Sequence, residues 1–432
     1  PKSGPNITQI NATSSTSIAV TWGVAPAEDT NGIITHYFVC YKPQTSSNDI
    51  CSVTKRLNGV NNRSTVLNGL NEFTNYEVAI QAATSKGNGT HGAIKNVKTL
   101  QDVPESGPNI MRINATSSSS IQVTWGVVPA EDTNGIITHY FVCYKPQTSS
   151  NYICSVTKRL NGVNNRSTVL NGLNKFTNYE VAIQAATSKG NGTHGAIKNV
   201  TTLQDEPAEG PNISSIISSA NELEVTWKKL SVDDSNGVIT KYEVCYALGS
   251  AVSNCSTSKM LTGVDNTKTE IVGLTPVTLY TVAVRASTKV GYGPLGERMV
   301  VQTNESVPSK GPVINVMADS STSLNVTWDE LNKYDANGVI TRYRVCYKNA
   351  SSFEDICNLP VRETMGNVRV ITLSNLGKYT EYIVAVQAAT KIGFGKIGAK
   401  MTTRTKEDSK YCMLFSFLAA CLIYVILIST IF

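Results

Sequence analysis

The chain has 432 residues, 16% of them charged and 41% hydrophobic, with a formal net charge of +6. This balance excludes a highly charged disordered chain. It is also too dilute for a nucleic-acid footprint, which gathers Lys and Arg on one face, and four His with ten Cys leave a metalloenzyme little to work with.

Internal repetition organises everything else. Trp22, Trp125, Trp227 and Trp328 are separated by 103, 102 and 101 residues. Copies one and two share PAEDTNGIITHYFVCYKPQTSSN letter for letter, whereas copies three and four keep a skeleton, NGVITKYEVCY at Asn236–Tyr246 and NGVITRYRVCY at Asn337–Tyr347. A period near 100 exceeds the roughly 20–50 residues of a solenoid unit, and each copy is long enough to bury its own core. Four modules are expected.

Along the first copy, Ile18, Val20 and Trp22 alternate with Ala19 and Thr21, which predicts a half-buried strand. Asn31-Gly32 follows, with counterparts at 134–135, 236–237 and 337–338, and predicts a tight turn using positive φ. Tyr37, Val39 and Tyr41, then Tyr76, Val78, Ile80 and Ala82, repeat the period of two. Such strands, spaced by Gly, Asn and Ser clusters without a helical stripe, predict an all-β antiparallel sandwich.

Trp22, the Tyr37-Phe38-Val39-Cys40-Tyr41 strand, Gly69-Leu70, the run from Tyr76 to Ala82 and Gly87-Asn88-Gly89 together resemble a fibronectin type III domain. The six-residue step from Leu to Tyr recurs at Leu173/Tyr179, Leu274/Tyr280 and Leu376/Tyr382. The resemblance covers about 4–405 and implies four tandem Ig-like sandwiches, at 4–101, 106–204, 209–304 and 310–405. It implies seven strands per module and a Tyr hydroxyl closing a corner on nearby backbone. Asn375 stands where the other copies have Gly before this Leu, which puts that turn in question.

Eight cysteines fall in four pairs, Cys40/Cys51, Cys143/Cys154, Cys245/Cys255 and Cys346/Cys357. With Tyr37, Val39 and Tyr41 inward, alternation turns Cys40 outward, and its partner is expected on the neighbouring strand, within disulfide reach. Closing such a loop would contribute about 3 kcal/mol. Reduced surface thiols and half of a zinc site are the competing readings. Most members of the resembled family lack this bridge, so its presence points to an oxidising, extracellular setting.

Acceptor triplets for N-glycosylation occur at Asn6, Asn11, Asn62, Asn88, Asn114, Asn165, Asn191, Asn199, Asn212, Asn254, Asn304, Asn325 and Asn349. Asn88 and Asn191 occupy the Gly-x-Gly loop, where copies three and four carry Tyr292 and Phe394. These two aromatics are contact candidates if exposed at loop tips, but the favoured expectation is a ring folded onto its own sandwich.

The linkers from Gln101 to Pro108, Gln204 to Pro211 and Asn304 to Pro312 are short and Pro-bearing, which favours extended backbone. Modules about 30–35 Å long would give a semi-rigid rod on the order of 120–150 Å. Met413–Phe432 is uncharged and long enough for a helix across ~30 Å of hydrocarbon. Segment 411–432 is therefore expected to be a transmembrane helix or a GPI-type lipid-anchor signal. Arg404, Lys406 and Lys410 precede it, where a single-pass receptor would carry basic residues after it. A spanning protein without a tail, a truncated receptor, a GPI signal and a tail-anchored cytosolic chain all remain open. The start at Pro1 is read as a mature form or a fragment.

Chemistry is sparse. His36, His91, His139 and His194 are two equivalent pairs expected on the surface. Glu28-Asp29-Thr30-Asn31-Gly32 lacks the alternating ligands of a calcium loop. No phosphate cradle, nucleophile elbow or kinase signature occurs, and Lys55, Arg56 and Arg63 make a weak anionic-polymer patch. The expectation is a non-enzymatic cell-membrane protein with extracellular modules, without cofactor, nucleic-acid partner or small-molecule substrate, that binds extracellular or cell-surface proteins. It resembles the ectodomains of cell-adhesion molecules and receptor-type tyrosine phosphatases. The alternatives are a non-binding spacer and the truncated ectodomain of a signalling receptor.

Overall fold

The computed structural model describes residues 1–249, 255–358 and 361–408. The chain divides after Asp205 into two compact units, modules 1 and 2 in the first, modules 3 and 4 in the second. Module 1 has eight strand segments: β1 (Ile7–Ala12), β2 (Ser17–Trp22), β3 (Ile34–Pro43), β4 (Thr54–Asn58), β5 (Ser64–Asn68), β6 (Asn75–Thr84), β7 (Gly87–His91) and β8 (Lys95–Lys98). The smaller sheet runs β1-β2-β5. The larger runs β4-β3-β6-β7, with β8 also on β6, and every pairing is antiparallel.

The alternating residues face one another across the two sheets. Ile18, Val20, Trp22 and Leu67 of the smaller sheet pack on Tyr37, Val39, Tyr76, Val78 and Ile80 of the larger one, all buried. Trp22 meets Tyr37 edge-on at 5.7 Å between ring centroids, and the pair recurs at 5.7, 5.5 and 5.4 Å as Trp125–Tyr140, Trp227–Tyr242 and Trp328–Tyr343. Such pairs contribute about 0.5–1.5 kcal/mol beyond the area they bury. Burial also raises the pKa of the four phenols, Tyr37, Tyr140, Tyr242 and Tyr343.

Asn31-Gly32 does not close a hairpin, because β2 and β3 belong to different sheets. The dipeptide turns the chain from one sheet to the other. Asn31, Asn134, Asn236 and Asn337 all take left-handed backbone, φ 46°, 45°, 49° and 52°, a region Asn tolerates better than most residues. In unit 2 this Asn ends a single helical turn, α1 (Val232–Ser235) and α2 (Lys333–Ala336), whose first turns are capped by Ser231 and Asn332. Among the described residues no helix is long and apolar enough to cross a membrane. The expected membrane segment, 411–432, lies outside the described residues.

The implied corner is present four times. Tyr76 Oη accepts the Asn71 N–H at 2.9 Å, and Tyr179, Tyr280 and Tyr382 accept from Asn174, Thr275 and Gly377 at 2.9, 3.0 and 2.8 Å. Asn375 leaves the turn intact. Its φ of 61° sits beside the 72°, 71° and 78° of Gly69, Gly172 and Gly273.

The seventh strand departs from the expected single piece. It is split into β7 and β8 in module 1 and likewise in modules 2 and 4, whereas module 3 keeps Met299–Gln302 and one isolated bridge, Ser287–Tyr292. The split lies where the module's own N-terminal Gly-Pro lies against the strand. A Cβ on Gly4 would stand 2.2 Å from Ile80 O, and one on Gly92 2.5 Å from Pro5 O. Only hydrogen fits there.

Within unit 1 the linker is held by more than proline. Asp102 accepts from Ser15 Oγ of module 1 at 2.6 Å, while its carbonyl accepts from Thr187 Oγ1 of module 2 at 2.7 Å. The Ser15 hydroxyl, and then the Val103 N–H, lower the pKa of the Asp102 carboxyl. Unit 2 repeats part of the scheme, with Thr390 Oγ1 on Ser306 O at 2.9 Å and Asn337 Nδ2 on Val307 O at 3.0 Å.

Candidate interaction surfaces

The outward face of the larger sheet gathers the candidate residues. In module 1 the register places Arg56, Phe38, Gln81 and His91 in one row across β4, β3, β6 and β7. Phe38 meets the ring of His36 edge-on at 5.0 Å, and burial, then the charge of Arg56, lowers the His36 pKa. Module 2 repeats the row as Arg159, Phe141, Gln184 and His194. There Tyr152, 64% exposed, replaces Asp49 and lies 6.2 Å from the His194 ring.

Tyr292 and Phe394 are not exposed tips. Both are half-buried against the face of their own module, because outward-pointing cations lie over the rings. Arg285 and Lys241 sit 4.2 and 4.7 Å from the Tyr292 centroid, and Arg344 and Arg342 sit 3.8 and 4.8 Å from that of Phe394. Counter-charges anchor them: Arg285 pairs with Glu243 at 2.6 Å and Arg344 with Glu363 at 2.9 Å. Phe353 of module 4 is instead fully exposed. Lys348 Nζ clips the loop beneath it by donating to Ser352 O and Glu354 O at 2.9 and 2.6 Å. Its setting, two serines before and two acids after, gave no apolar signal.

The sulfurs of Cys40 and Cys51 are bonded, as are those of Cys143 and Cys154, Cys245 and Cys255, and Cys346 and Cys357, with Cα separations of 4.5, 4.5, 4.9 and 5.0 Å. Two details differ from the alternation argument. Cys40 does face away from the main core, yet it is fully buried. Its partner lies in a 3-10 turn, Ile50–Ser52, and not on the neighbouring strand. That turn folds back so that Ile50 covers Cys40 and Ala79, as Ile153 covers Cys143 and Ile356 covers Cys346. In module 3 the Glu243 carboxylate, with Arg285 and Ser258, occupies this area. Ligand atoms of Glu243, Cys245 and Cys255 lie within 4.8 Å of one another, but sulfurs bonded to each other offer no thiolate to a metal.

The acceptor asparagines differ in setting. Asn11 and Asn114 are exposed on the first strand of their modules, and Asn325 is half-buried on the second strand of module 4. Asn88 and Asn191 pair with Ala83 and Ala186, and Asn199 with Glu180, on the larger sheets. Asn6 and Asn212 accept backbone N–H groups of Ala93 and Glu297. Asn304 Nδ2 donates to Ser218 O, and Asn349 Oδ1 accepts from Ser351. Asn62 and Asn165 donate their amide N–H to the carbonyls of Asn58 and Asn161, a turn contact that Asn266 makes without being an acceptor. Asn254 lies outside the described residues.

A fibronectin type III domain model matches residues 3–96, 106–200, 206–302 and 308–404. The chain is 30% identical over 352 residues to the human phosphatidylinositol phosphatase PTPRQ, covering 80% of this chain and 14% of that protein. It is 25% identical over 382 residues to the chicken cell adhesion molecule DSCAML1, 87% and 18% of the two chains. With the Drosophila melanogaster tyrosine-protein phosphatase Lar the figures are 29% over 414 residues, 93% and 19%. The chain thus spans between 14% and 19% of the length of these relatives.

Proposed function

Because the chain belongs to the fibronectin type III family, we propose that it acts in cell-surface recognition, its modules lying outside the cell and binding other surface or extracellular proteins. The observation that carries this is the run of four modules, 3–404, aligned over most of the chain with adhesion molecules and receptor-type tyrosine phosphatases. Four oxidised cysteine pairs support the same compartment. Contacts would be made by the outward faces of the larger sheets, where Phe38, Phe141, Tyr292 and Phe394 sit among cations and amides, and by loop residues such as Tyr152 and Phe353. Aromatic and Arg side chains are the usual anchors of protein interfaces.

The role is non-catalytic in this reading, since the matches to the phosphatases fall on repeats of the same module type. A second reading, part of the ectodomain of a signalling receptor, is favoured by the 93% of this chain that aligns with Lar. Attachment to a membrane through 411–432 belongs to the proposal. To test recognition, cells displaying the full chain are offered an array of purified surface ectodomains. Saturable binding to at least one, lost on Phe38→Ala, Phe141→Ala or Phe353→Ser, supports it. No binding to any ectodomain, even after glycan trimming, contradicts it and leaves a spacer.

A further inference from the structure

We propose that an N-glycan on Asn199 covers one end of the larger sheet of module 2, and that module 1 leaves the matching surface bare. This rests on the extracellular reading above, because acceptor asparagines are modified in secreted chains.

Modules 1 and 2 are the same sequence with few exchanges. From Lys2 to Leu100 against Glu105 to Leu203, nine positions differ. Thr8/Met111, Gln9/Arg112 and Ala19/Gln122 lie on the first two strands, away from the larger sheet. Within the strands of the larger sheet one position changes, Lys98 in module 1 for Thr201 in module 2. That exchange turns Asn96-Val97-Lys98 into Asn199-Val200-Thr201, an acceptor triplet. It also removes a cation, since Lys98 Nζ lies 3.1 Å from the Phe73 centroid and Thr201 can offer Phe176 nothing similar.

The strand fixes where the carbohydrate leaves. Val97 and Val200 pack against the cores, so the preceding Asn96 and Asn199 point to the opposite, outward side. Both are exposed. Asn199 lies opposite Glu180, which pairs with Lys145 at 3.4 Å; Asn96 lies opposite Glu77, which pairs with Lys42 at 3.5 Å. Four residues further along the same strand, about 13 Å at the rise of an extended chain, Gln184 joins the row of Phe141 and His194. A bulky glycan rooted on Asn199 reaches over that row. Asn88 and Asn191, common to both modules, sit at the other end of the face. Module 2 is therefore bracketed at both ends and module 1 at one. A protein that recognises Arg56, Phe38, Gln81 and His91 meets carbohydrate from one end of the row in module 1 and from both ends in module 2, so two nearly identical modules present one surface covered to different extents.

The test uses the full chain expressed in cultured animal cells, with each acceptor mapped by enzymatic deglycosylation in heavy-oxygen water and peptide mass spectrometry. Asn199 should be occupied in most chains, and Lys98→Thr should add a glycan at Asn96. Diethyl pyrocarbonate labelling of His194 should rise about threefold or more in Thr201→Lys, because removing a bulky group uncovers the ring. Occupancy elsewhere with Asn199 empty overturns the inference and leaves the extracellular reading standing. Occupancy at none of the thirteen acceptors overturns both. An occupied Asn199 with His194 labelling unchanged by Thr201→Lys overturns the covering.

Discussion

Replacing Tyr280 by Phe removes a single oxygen from module 3, and the structure sets the size of the effect. The ring stays in place: Tyr280 is buried in the core beside Leu274 and Val282. What is lost is the acceptor of the Thr275 N–H at 3.0 Å, in a part-buried setting. A hydrogen bond contributes about 0.5–1.5 kcal/mol net, and an unpaired buried donor costs about 1–3. Because water reaches a part-buried group, about 1–2 kcal/mol is expected. At 1.4 kcal/mol per factor of ten this accelerates exchange through unfolding of module 3 by about 5–30-fold. Deuterium exchange with mass spectrometry isolates the module, since its peptides differ from those of the other three copies, and separate cores keep the change local. Unchanged exchange in 206–302 would refute the corner's contribution. Equal acceleration in module 1 would refute the independence of the cores.

Further outcomes follow from single contacts. Asn375→Gly should be neutral or slightly stabilising, whereas Asn375→Ala, at φ 61°, should cost module 4 about 1–2 kcal/mol, read by the same exchange measurement. Ile356→Ala uncovers Cys346 and Ala385 and should cost about 2–4 kcal/mol, again confined to module 4. Burial, then Arg159, depresses the pKa of His139. The unfolded chain therefore binds the proton more readily, and this contribution is present above pH 6.5 and lost as pH falls through the folded value. His139→Gln should flatten the acid-side decline in the thermal midpoint of module 2. Asp102→Ala breaks the link from Ser15 to the linker and should speed exchange at 100–104 while the two flanking cores keep their protection.

Period-two patterning carried the core into view because each module buries one face of each sheet. Ile18, Val20 and Trp22 point where alternation put them, and the Leu-to-Tyr spacing placed the corner. Alternation gives a side chain's direction and not what comes to lie on it. Cys40 faces away from the main core as expected, yet Ile50 returns from eleven-residue loop closure to bury it. The loops of Tyr292 and Phe394 are visible in the sequence but the cations above the rings are not, since Lys241 and Arg344 lie about fifty residues away and come close only through strand pairing. The helical turns α1 and α2 span four residues each, too few for a 3.6 period, though Ser231 and Asn332 are ordinary caps. The Gly4 and Gly92 contact joins opposite ends of a module, so no local pattern marks it.

Quantifying free thiols in protein taken from its native source, under denaturing and non-reducing conditions, bears on the compartment more directly than any substitution. Four crosslinked peptide pairs are expected, each joining the cysteine of a third strand to the one ten or eleven residues beyond it, with no alkylation at these eight positions. Quantitative alkylation of all eight would place the modules in a reducing compartment and contradict the extracellular reading.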